Sequence, residues 1–60
     1  LVKFGLRAEM ILMHYGYNYF FELYFLTPEE LKKMKGCGDA TYSQIAGILR
    51  QYGFKNFANI

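Results

Sequence analysis

Leu26-Thr27-Pro28-Glu29-Glu30-Leu31-Lys32-Lys33-Met34-Lys35-Gly36-Cys37-Gly38 carries the clearest local signal in the sequence, a helix start followed by a glycine break. Thr27 is placed to accept a hydrogen bond from the Glu30 amide while the Glu30 carboxylate reaches back to the Thr27 amide, a capping box. Pro28 falls at the first helical position, where no amide donor is needed, and Leu26 is spaced to staple onto Leu31. Acids lie in the first turn and Lys32, Lys33 and Lys35 towards the end, as the helix dipole favours. A helix therefore starts at Pro28. Lys35-Gly36-Cys37-Gly38 then breaks it.

On the C-terminal side, a helix is expected from Asp39 or Ala40 to about Tyr52, ending at Gly53. Its buried stripe reads as Tyr42, Ile45, Leu49 and Tyr52, with Ile48 beside it. Phe54 to Ile60 reads as a packed tail with little regular structure. On the N-terminal side, Asn18 is a candidate cap for a short helix from about Phe20 to Phe25. A first helix is expected from about Leu6 to Tyr15, stopped by Gly16. It carries two apolar stripes, one of Ala8, Ile11, Leu12 and Tyr15, the other of Leu6, Met10, Met13 and Tyr17. Leu1 to Gly5 give no clear signal. No alternating run is long enough for a strand. The expectation is an all-α fold, a compact bundle of four or five short helices.

Sixty residues allow one domain, residues 1–60. A chain of this size buries only ~60% of its unfolded surface, so its core must be dense. With 53% apolar residues and 20% Phe or Tyr, it has the material for one. The opening Leu1 is compatible with a piece of a longer protein. A net charge of +2 permits weak contact with DNA but does not imply strong nonspecific binding. One cysteine excludes an internal disulfide, and with a single histidine beside it the chain lacks the four Cys or His ligands of a common structural zinc site. Neither a metal nor an organic cofactor is expected. No apolar stretch reaches the ~20 residues of a membrane span, and no signal-peptide layout is present. A cytoplasmic setting follows as the expectation.

The chemistry is expected at the break between the two C-terminal helices. Gly36 and Gly38 allow a tight reversal and leave room for a phosphate to approach the chain. Amides at the start of the following helix point outward, where the helix dipole adds partial positive charge, and Lys35 stands beside them. One reading is a phosphodiester clamp; the other is a tight turn whose glycines serve only the turn. Asp39 favours the second, because a capping carboxylate would take the amides that a phosphate needs.

Gly16-Tyr17, Glu22-Leu23, Thr27, Glu30-Leu31, Gly38, Thr41, Ile45, Leu49 and Gly53 form a skeleton whose spacing resembles the C-terminal domain of the bacterial RNA polymerase α subunit. With the first helix the likeness covers most of the chain. It implies a four-helix fold of the SAM-like type containing one helix-hairpin-helix, and noncatalytic binding of double-stranded DNA. The family's minor-groove arginine falls on Arg7, its hairpin glycine on Gly38, its phosphate-contacting hydroxyl on Thr41, and a polar position one turn on is Gln44. Two positions depart. The family's asparagine after the arginine is Met10 here, and lysines before the hydroxyl are replaced by Asp39 and Ala40. The resemblance thus implies weak binding through Arg7, Gly38, Thr41 and Gln44, to which the hairpin reading adds Lys35 and Gly36.

Other residues point elsewhere. Tyr15, Tyr17, Tyr19, Phe20, Phe21, Tyr24 and Phe25 cannot all fit inside so small a core, and an exposed apolar patch usually marks an interface. The alternative is therefore a protein-interaction or self-association module that keeps the fold without the DNA contacts. His14 reads as an ordinary surface histidine and Cys37 as a small apolar plug. No nucleophile with a base, and no pair of acids, suggests an enzyme.

Overall fold

The computed structural model describes residues 4–58. The capping box forms as its residue types dictate: the Glu30 amide donates to Thr27 Oγ1 and the Thr27 amide to Glu30 Oε1, both at 3.2 Å. Helix α2 (Pro28–Lys33) starts there, and Leu26 and Leu31 are both fully buried. Thr27→Ala removes one of these bonds and is expected to cost about 1 kcal/mol, read as a lowered urea midpoint at unchanged slope.

Two glycines end the longer helices by the same device. After α1 (Leu6–His14), Gly16 adopts a φ of 93°, its amide donates to the Met13 carbonyl at 3.0 Å, and the Tyr17 amide donates to that of Leu12 at 2.9 Å. After α3 (Asp39–Gln51), Gly53 and Phe54 donate in the same pattern to Arg50 and Leu49. This double bond satisfies terminal carbonyls and needs a left-handed residue, hence glycine. Between α1 and α2 lies a 3-10 helix, Phe20–Phe25, and a further short 3-10 turn spans Lys55–Phe57. No strand occurs among the described residues. The architecture is all-α.

Glu22, not Asn18, starts the aromatic 3-10 helix. Its Oε1 accepts from the amides of Asn18 (2.7 Å) and Tyr19 (2.9 Å), so Asn18 contributes its main chain rather than its side chain.

Helix α3 is the axis of the bundle and packs against α2 and the closing 3-10 turn. The core joins Phe4, Ala8, Leu12, Leu23, Leu26, Leu31, Met34, Ile45, Ala46, Leu49 and Phe57. Of the two stripes on α1, the one with Ala8 and Leu12 faces inward, leaving Leu6, Met10 and Met13 exposed. Two stripe residues behave otherwise than expected. Tyr52 is 51% exposed, because α3 ends at Gln51 and Tyr52 is its C-cap, while Ile45, Ala46 and Leu49 are buried. Tyr15 is also exposed, its hydroxyl accepting from the Lys35 amide at 2.8 Å. Tyr42 is half-buried, and Lys32 Nζ lies 5.2 Å from its ring centroid, which ties α2 to α3. At the chain ends, Phe4 and Phe57 supply the two largest fully buried side chains. Residues 1–3 and the end of the expected tail, 59–60, lie outside the described residues.

Candidate nucleic-acid interface

The turn from α2 into α3 needs only one of its two glycines for conformational reasons. Gly36 has a φ of 89°, a region that side-chain-bearing residues resist, and a Cβ there would sit 3.7 Å from Ile11 Cδ1. Gly38 differs from the expectation of a strained pair. Its φ is −79°, and nothing lies within 4 Å of where its Cβ would be. Neither backbone nor packing demands glycine there. Its effect is to leave the start of α3 bare.

Gly38, not Asp39, is the N-cap of α3, and no side chain caps the helix. Asp39 is the first residue of the helix and is exposed, so the anticipated aspartate cap does not form. Helix geometry leaves the Asp39, Ala40 and Thr41 amides without intrahelical acceptors; the first such bond runs from Tyr42 to the Gly38 carbonyl at 2.8 Å. Thr41 is half-buried at the third position of α3. At the other end of the turn, donors are used. The Lys35 amide is taken by Tyr15, as above, and the Cys37 amide donates to the Met34 carbonyl at 3.1 Å. The Lys35 ammonium group therefore stands on a main chain held in place from α1. Burial pushes the Cys37 thiol up from its ordinary pKa, as suits an apolar plug rather than a nucleophile.

Arg7 is brought to the same face. Leu6, Arg7, Met10, Ile11 and Gly36 line one open cleft of about 400 Å³, whose lining contains no acidic side chain. Gln44 fixes this arrangement. Its Nε2 donates to the Phe4 carbonyl at 2.7 Å and lies 3.7 Å from the Cβ position of Gly5, pinning the entry of α1 against the second turn of α3. That bond gives Gln44 a structural task beside any contact through its remaining Oε1. Nothing in the residue pattern announced it, because Phe4 showed no periodic signal.

The structure thus brings Arg7 and Gly36 together across one cleft, with Gly38 and Thr41 at the adjoining helix start. Among the described residues, no three His, Cys, Asp or Glu side chains gather as a metal ion would require. No described helix is long and apolar enough to cross a membrane. No protein-family model matches the chain, and neither a curated protein nor a solved structure matches it significantly.

Proposed function

We propose that this chain is a noncatalytic, cytoplasmic module that binds double-stranded DNA weakly, with the turn between α2 and α3 acting as a helix-hairpin-helix phosphate clamp. The observation that carries the proposal is the shared cleft of Arg7 and Gly36 next to a helix start with no side-chain cap. Amides at such a start, with the dipole of α3 behind them, suit a phosphate oxygen. The guanidinium of Arg7 suits the negative potential of a narrow A·T-rich minor groove. Gly38 leaves the approach open, Thr41 offers a hydroxyl to the backbone, and Lys35 adds charge.

Opposing features set the strength. Asp39 repels a phosphate at the helix start, and exposed Leu6 and Met10 flank Arg7 with apolar surface where a polar group would otherwise read the groove. Methionine and leucine at a minor groove serve as wedges against sugars and base steps, without adding charge. Few phosphates are therefore neutralised.

Fluorescence-anisotropy titration of an A·T-rich duplex at several salt concentrations tests the reading. A contact set of roughly two to four phosphates predicts log K falling with log salt at a slope of about −2 to −4. Absence of binding at low ionic strength and high protein concentration would remove the proposal.

A further inference from the structure

We infer that the molecule carries a second, independent surface, the aromatic face of Tyr19, Phe21, Tyr24, Phe25 and Tyr52, and that it binds a second copy of this chain. These rings are 50–76% exposed. They also pack on one another and on neighbouring rings. Tyr19 and Phe21 stack with centroids 5.7 Å apart and planes within 6°. Tyr24 meets Phe25 edge-on at 5.4 Å and leans on Phe54 at 6.4 Å, which in turn touches Phe20 (5.1 Å), the neighbour of Tyr52 (5.2 Å). In a 3-10 helix, residues three apart eclipse, so Phe21 and Tyr24 share one ridge and Phe25 lies on the next, with Glu22. The face is anchored by Asn56, whose Nδ2 donates to the carbonyls of Tyr24 (3.2 Å) and Leu26 (3.1 Å). Rings already held in place lose little freedom on docking.

Area and charge identify the occupant. At ~200 Å² for each aromatic side chain, five rings so exposed present roughly 600 Å² of ring surface in all. A stable dimer buries ~800 Å² on each partner, so the ring face alone supplies most of one side. The only charged residue of the 3-10 helix is Glu22, and its carboxylate is folded back onto the amides of Asn18 and Tyr19. A twofold pairing of this face with itself therefore sets no like charges from that helix opposite one another, and an isologous contact is self-complementary by symmetry. Single-stranded bases would stack on such rings but need interleaved cations, and the 3-10 helix has none. Tyr52 caps the carboxyl end of α3, about 20 Å along that helix from the bare start at Gly38.

Sedimentation equilibrium of the full chain from about 1 μM to about 1 mM spans the affinities at issue. The expected mass rises from 7.1 kDa towards twice that value, with amide shifts of Phe21, Tyr24 and Phe25 moving on dilution. The double variant Phe21→Glu, Phe25→Glu should raise the dissociation constant at least tenfold; both side chains are exposed, so its circular dichroism should match the parent's. Arg7→Ala should associate like the parent, which separates this surface from the DNA reading. A monomer at the highest concentration, unchanged association of the double variant, growth beyond two copies, or shifts of these residues on adding an oligothymidylate instead would each overturn the inference.

Discussion

Phe57→Ala is expected to leave much of the population unfolded at room temperature. Phe57 sits in the short closing turn Lys55–Phe57, yet it is fully buried among the residues of the common core. Truncating a buried phenylalanine costs ~3–5 kcal/mol through lost burial and the cavity left behind. A domain of this length is expected to have only ~3–9 kcal/mol in total. The substitution therefore consumes at least about a third of that stability, and all of it at the lower end of the range. Thermal and urea unfolding followed by far-ultraviolet circular dichroism check it. A loss below about 1 kcal/mol would mean that the closing turn contributes little to the core, contrary to the burial seen for Phe57.

Arg7→Ala should weaken duplex binding by tenfold to a hundredfold while leaving the fold intact. A charge-assisted hydrogen-bonding group contributes ~1.5–3 kcal/mol, the free-energy equivalent of that range. Arg7 is exposed on the first turn of α1, so its removal should shift stability by no more than about 0.5 kcal/mol. Arg7→Lys keeps the charge but loses the planar fork, and should fall between the two. Anisotropy titrations of the three proteins with one A·T-rich duplex decide it. Equal affinities would show that the cleft beside Gly36 is not where DNA sits.

Local rules made much of this fold legible. The Thr27–Glu30 box and the glycines at Gly16 and Gly53 act over a few residues, so their chemistry is written in adjacent letters. Long-range packing is not so written. Phe4 and Phe57 carry no periodic signal because they are single large side chains at the chain ends, inserted into a core that other elements assemble. Tyr52 satisfies the spacing of a buried stripe, yet α3 ends one residue before it and the tyrosine ring stays at the surface beside Phe20. Asp39 had the chemistry of a cap but stands one residue too late, behind Gly38. At the candidate interface, Arg7 and Gly36 were legible as separate groups, whereas their shared cleft and the Gln44–Phe4 bond across forty residues are products of long-range packing. The surplus of aromatics was plain from composition. Which of them remain outside was decided by the 3-10 helix, whose three-residue turn buries Leu23 and projects Phe21, Tyr24 and Phe25.

Chemical-shift mapping of the isotope-labelled chain with an A·T-rich duplex shows which residues meet DNA. Perturbations at Arg7, Gly36, Gly38 and Thr41, much reduced by Arg7→Ala, are the predicted result. Shifts confined to the aromatic 3-10 helix, or none at saturating duplex, would contradict it.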